Sequence, residues 1–102
     1  MTSTLDVRIQ GDSMWPTFRD GDVLTFTDED LDIISAGEVV LVIHPLKPDV
    51  RMVKRVLRIE TNGTLFLVGD NPDPLGSEDS HNFGPVPLRL VQARWLDESW
   101  RA

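Results

Sequence analysis

At 102 residues, with 17 acidic against 10 basic side chains and a net charge of -7, the chain fits a single domain, residues 1–102, built on one modest core. The acidic balance argues against non-specific binding to nucleic acid or to an anionic membrane, since both need a basic face. The absence of cysteine excludes disulfides, thiolate chemistry and cysteine-based metal sites. His44 and His81, far apart in sequence, read as surface or supporting residues, so neither a metal nor another cofactor is expected.

The opening residues lack a positively charged segment followed by an apolar stretch, so no secretory signal is expected. The longest strongly apolar run, Val39–Ile43, is far shorter than the roughly 20 residues of a membrane-spanning helix. A soluble, cytoplasmic protein without a membrane partner is the expectation.

Along the chain, short apolar runs alternate with turn residues, which predicts a mainly β fold. Val7–Ile9 opens as a strand and Gly11–Pro16 reads as a constrained turn. Asp20-Gly21-Asp22 is a turn signal before the strand Val23–Phe26. The acidic segment Thr27–Ser35 reads as a surface loop or a single helical turn. Ala36-Gly37-Glu38 then leads into Val39–Ile43, a continuous apolar run suited to a fully buried strand. After a proline-bearing loop, Val50–Glu60 is the longest strand candidate. Asn62-Gly63 closes it into a hairpin with Thr64–Val68. Gly69–Pro87 is a long loop of the kind that more often carries function than decoration. Leu88–Leu96 returns to β character.

Three segments carry chemistry. In Gly11-Asp12-Ser13-Met14-Trp15-Pro16-Thr17, a serine is held on a tight turn by its neighbours and by a proline of fixed φ. A nucleophilic serine needs that placement, with its hydroxyl facing a cleft and adjacent N–H groups aimed at a developing oxyanion. Within Val50–Glu60, alternation puts Met52, Lys54 and Val56 on one face and Val53, Arg55 and Leu57 on the other. A lysine flanked by apolar residues either snorkels at a sheet edge or is buried for a purpose. Burial favours its neutral form, which can take a proton from a serine hydroxyl. The third segment, Gly69-Asp70-Asn71 with Ser77-Glu78-Asp79-Ser80, offers groups able to fix a lysine rotamer, or equally a loop satisfying its own backbone.

Together these segments resemble the characteristic boxes of type I signal peptidases: Gly11-x-Ser13-Met14-x-Pro16-Thr17, Lys54-Arg55-Val56, and Gly69-Asp70-Asn71 followed by Ser77-x-Asp79-Ser80 and Gly84-x-Val86. The resemblance runs from about Ile9 to Val91. It implies the β fold shared with self-cleaving LexA-type domains. It also implies a Ser–Lys mechanism in which Ser13 is the nucleophile and Lys54 the general base, with Ser77 orienting Lys54. The turn Gly11, Asp12 and Ser13 would hold the oxyanion, chiefly through the Ser13 N–H. Met14 and Pro16 would shape the turn and cleft, Asp79 would brace the site, and Gly69, Asp70 and Asn71 would support it. An extended substrate would pair with an exposed strand edge, with Met14 and the apolar wall near Ile9 or Val53 as pocket linings.

Where type I signal peptidases usually carry serine or threonine two residues before the nucleophile, this chain has Gly11, and His81 stands where they have arginine, which weakens the expected pairing with Asp79. The expected chain is a minimal catalytic core without the family's membrane anchor or second β-ribbon domain. In that form it resembles the nickel-type superoxide dismutase maturation proteases, which implies removal of an N-terminal leader from the dismutase precursor. Two alternatives stand beside this reading: a LexA-like domain cleaving itself at Ala36-Gly37, and a catalytically silent peptide-binding module of the same fold.

Overall fold

The computed structural model describes residues 3–73, 75 and 78–96. Its framework is one antiparallel six-stranded sheet of β1 (Thr4–Arg8), β2 (Val23–Thr27), β3 (Val39–Ile43), β4 (Arg51–Ile59), β5 (Leu65–Val68) and β6 (Val91–Trp95), in spatial order β1-β2-β6-β3-β4-β5. The mainly β expectation is met. Among the described residues helix is confined to single turns at Leu31–Ile33, Leu88–Leu90 and α1 (Ser80–Phe83). Two expectations are corrected here. Leu88–Leu90 forms a 3-10 turn, so the last strand starts at Val91, and the long loop after β5 contains α1. Asp79 starts that turn: its carboxylate accepts from the His81 N–H while the Asn82 side chain accepts from the Asp79 N–H. This reciprocal cap satisfies donors that a helix start leaves orphaned.

The uninterrupted apolar run of β3 has a direct structural reason. Val40 and Val42 enter one core with Ile34, Val56, Leu65, Leu67, Val86 and Val91. Val39 and Leu41 point the other way, into a second core with Ile9, Met14, Phe18, Phe26 and Ala93. A strand covered on both faces has no polar positions to alternate. Phe18 and Trp95 close the second core edge-to-face, with ring centroids 4.9 Å apart.

The hairpin predicted at Asn62-Gly63 joins β4 to β5. Gly63 takes φ +86, and the Asn62 side chain accepts from the Thr64 N–H and hydroxyl. The β5 pairing starts only at Arg55↔Val68, while β3 pairs with β4 from Arg51 to Arg55. Among the described residues, Arg51–Lys54 therefore has no partner strand on its β5 side. Among them β1 pairs with β2 alone, so its outer edge is also open. Although three strands separate β1 from β4 in the sheet, residues of both line one groove of about 380 Å³. The curl of the sheet brings these two open edges together.

Candidate active site

The turn that carries Ser13 is anchored from inside and outside. Met14 is buried at 1 % exposure in the second core, which pins the turn to the sheet. The Trp15 N–H donates to the Asp12 carbonyl and the Phe18 N–H to the Met14 carbonyl. The Gly11 N–H donates to an Asp20 carboxylate oxygen at 2.8 Å. Pro16 follows a cis peptide bond. The N–H groups of Ser13 and Met14 make no hydrogen bond among the described residues, and Ser13 itself is half-buried on the groove.

A second loop clamps this turn. The Asn71 side chain donates to the Asp12 carbonyl at 2.8 Å, and the Asn71 N–H donates to the Ser13 carbonyl at 3.0 Å. Next to it, Asp70 accepts from the Thr17 hydroxyl at 2.5 Å and from Arg55 through Nε at 2.8 Å and a terminal nitrogen at 2.7 Å. Arg55 also donates to the Gly37 carbonyl at 2.7 Å. One bidentate pair thus ties β4, the loop after β5 and the Ser13 turn into a single unit. Burial pushes the Asp70 carboxyl up, but the hydrogen bonds from Arg55 and Thr17 and the Arg55 charge outweigh it and hold Asp70 below the usual carboxylate value. Arg55 and Thr17 belong to the boxes quoted above, yet their role was not legible. Arg55 faces away from Lys54, and only the folded chain shows Asp70 meeting it there.

Lys54 is buried, at 3 % exposure, on the face it shares with Met52 and Val56. The structure thus decides against snorkelling. Burial pushes its pKa below the ordinary lysine value, against the opposing pull of the Asp79 and Glu78 carboxylates. Lys54 and Ser13 line the same groove, with Ile9, Met14 and Val53 among its other walls. These are the linings expected from the sequence. A larger cleft of about 620 Å³ lies elsewhere, bounded by Glu38, Arg55 and Arg94, and contains neither Ser13 nor Lys54.

Asp79 accepts from the Gly69 N–H at 3.4 Å and from His81 through both its N–H and its ring Nδ1, each at 2.9 Å. His81, which stands where the resembling family has arginine, thus reaches the same carboxylate through its imidazole. Of the two readings given for His44, surface or supporting, the structure shows the second, since it is buried. Its Nδ1 accepts from the Leu46 N–H at 3.0 Å, so the proton sits on Nε2, which donates to Glu78 at 2.7 Å. Ser77, which the resemblance assigns to orienting Lys54, lies outside the described residues, as does the tail beyond Leu96. Among the described residues no cluster of side chains has the make-up of a metal site.

Gly11 has a conformational reason to be glycine. It sits at φ +81, with nothing within 4 Å of where a Cβ would lie. A side chain meets open space but a strained backbone, so Gly11→Ser is expected to cost about 1–2 kcal/mol. Thermal melting of the variant would check this.

Comparison with known families gives this fold its class. Residues 2–82 match the model of the Peptidase S24-like family, and the chain belongs to that family. It is 32% identical to the mitochondrial inner membrane protease subunit 1 of Xenopus tropicalis, over 88% of this chain and 65% of that protein. It is equally 32% identical to the mitochondrial ATP-independent inner membrane protease subunit 1a of Arabidopsis thaliana, covering 90% of this chain and 68% of that one. The mouse mitochondrial inner membrane protease subunit 2 is 26% identical, over 92% and 69%. The chain thus spans about two thirds of the length of these relatives. Their names place them at the mitochondrial inner membrane, which overturns the cytoplasmic location expected from the sequence. The physical reason is that the inference rested on the want of an apolar span. Among the described residues no helix is long and apolar enough to cross a membrane, and that property does not decide a compartment.

Proposed function

We propose that the chain is a serine endopeptidase that cuts an extended segment, with Ser13 as nucleophile and Lys54 as general base. The observation that carries this reading is the convergence of Ser13 and a buried Lys54, its pKa lowered by burial, on one groove, in a chain of a peptidase family. Lys54 takes the Ser13 proton as the hydroxyl oxygen attacks the scissile carbonyl, and the resulting oxyanion rests on the Ser13 N–H. The protonated lysine then delivers its proton to the leaving amine. Water, deprotonated by the same amine, hydrolyses the acyl-enzyme and frees Ser13. Asn71, Asp70 and Arg55 hold the turn in register with β4, and Asp79 caps the loop that lies beside Lys54. Ser77 is the candidate for fixing the lysine rotamer.

The open edges of β1 and β4 offer backbone donors and acceptors to an extended chain laid between them, a mode in which main-chain hydrogen bonds supply affinity. A precursor's N-terminal leader is the substrate class that the motif resemblance implies. A nickel-type superoxide dismutase precursor, suggested by the motif resemblance alone, is the first such leader to try. Self-cleavage at Ala36-Gly37 draws no support from the geometry. The Gly37 N–H is bonded to Val56, its carbonyl to Arg55, and it borders the cleft that lacks Ser13.

Incubation of the full chain and its Ser13→Ala variant with that precursor, read by intact mass, tests the reading. The expected result is one trimmed site with the wild type and none with the variant, and covalent labelling of Ser13 by a serine-directed probe. A chain that neither trims nor labels is a silent binding module.

A further inference from the structure

The cations of this acidic protein are unevenly placed. Lys47, Arg55, Arg58 and Arg94 are each ion-paired with a carboxylate. Among the described residues Arg8, Arg19, Arg51 and Arg89 form no ion pair, and two of these, Arg8 and Arg51, line the groove beside Lys54. Arg8 and Arg51 are exposed. The one carboxylate in the lining, Asp6, already accepts a hydrogen bond from the Thr25 hydroxyl on β2 at 3.1 Å. On a chain of net charge -7, the groove is thus a local basic strip. Low-dielectric walls focus such a field on whatever enters.

We propose that Arg8 and Arg51 are specificity-determining residues that select substrates bearing an acidic side chain in the segment held between β1 and β4. This deepens the endopeptidase reading and rests on it for the identity of the reacting bond. Arg51 stands three positions before Lys54 on the same strand, roughly 10 Å at the rise of an extended chain. An extended substrate paired along that edge therefore presents the acidic residue about three positions from the scissile bond. Arg8 approaches from the opposite edge, so the two guanidinium groups flank the strip and a basic side chain there meets repulsion.

The test separates selection from catalysis. Short fluorescein-labelled peptides of Ala, Ser and Val carry one Glu, walked along the chain, with matched Gln and Lys series. Their binding to the full-length Ser13→Ala variant is read by anisotropy at low and at high salt. At the best position Glu is expected to bind about two- to fivefold tighter than Gln, as an exposed ion pair allows, with Lys weaker still. The advantage shrinks with salt and disappears when Arg8→Gln and Arg51→Gln are combined. Equal binding of the three series, no binding at all, or a Glu preference that survives the double substitution overturns the proposal. The peptide series keeps both arginines in place, so it decides even if the arginine variants fold poorly. If the Glu preference holds while the wild type cuts none of the peptides and Ser13 resists the probe, the endopeptidase reading fails and the basic strip remains a selective binding groove.

Discussion

Replacing Lys54 with methionine is expected to reduce peptide hydrolysis by at least about 10²–10⁴-fold, the usual contribution of a positioned general base, without unfolding the protein. Methionine fills a similar volume and removes the polar head of a side chain that is only 3 % exposed, so stability should hold or rise by about 1 kcal/mol. Thermal melts beside single-turnover assays separate the two effects. Lys54→Arg should remain inactive, because a guanidinium keeps its proton throughout the accessible pH range. Appreciable activity in that variant would remove Lys54 from the role of base.

The pH dependence follows with a definite sign. Burial lowers the Lys54 pKa in the folded chain below the ordinary 10.5. Activity should climb with pH and level off at that lowered pKa, and the Lys54→Met variant should lack the limb. In the window between the folded pKa and 10.5 the unfolded chain holds a proton that the folded chain has shed. Stability of the wild type relative to Lys54→Met therefore rises with pH across that window, and this gain is lost as pH falls through the folded pKa.

The second large effect is expected at Asp70. Asp70→Ala leaves the Arg55 guanidinium, 30 % exposed, with only the Gly37 carbonyl, and leaves the Thr17 hydroxyl without its acceptor. Partial exposure softens the penalty of an unpaired charge, so the cost is about 2–3 kcal/mol. In a domain of this size that lowers Tm by about 10–20 °C. The Ser13 turn loses its tie to β4 as well, and kcat should fall by about 10²-fold, as misplacement of a reacting group by an ångström permits, with KM changed less. Arg55→Lys should not restore either property, since a lysine cannot make the bidentate contact. In the wild type the Asp70 carboxyl titrates below its usual 3.8. Its stabilising contribution is present above that value and is lost as pH falls through the lowered folded pKa, so acid unfolding should narrow the gap between wild type and Asp70→Ala. An unchanged gap down to that range would show that the pair carries little of the stability.

The strands were largely readable because each rests on a local pattern. The apolar run of β3, the alternation of β4 and the Asn62-Gly63 turn all encode their own geometry. Boundaries were less readable where tertiary pairing decides them. Leu88–Leu90 has strand-like composition, yet the register of β6 with β3 begins at Val91↔Val42, and the preceding residues coil into a 3-10 turn. The helix α1 is one turn held by the Asp79 cap and by the Ser80 hydroxyl accepting from the Leu67 N–H, a contact with β5 that no local signal announces. The candidate site shows the same division. Ser13, Met14 and Lys54 stood out by residue type and setting. The clamp of Arg55 on Asp70 and Thr17, and the burial of His44 against Glu78, join residues far apart in the chain.

From residue order alone came the β class, the alternation that puts Lys54 with Met52 and Val56, and the turn that presents Ser13, because each is a matter of neighbours along the backbone. Only the tertiary structure decided that Lys54 is buried, that the loop after β5 holds the Ser13 turn, and that β1 and β4 face one another with open edges. Those properties depend on the curl of the sheet, which brings distant strands together and shuts water away from some of their side chains while leaving Arg8 and Arg51 exposed to it.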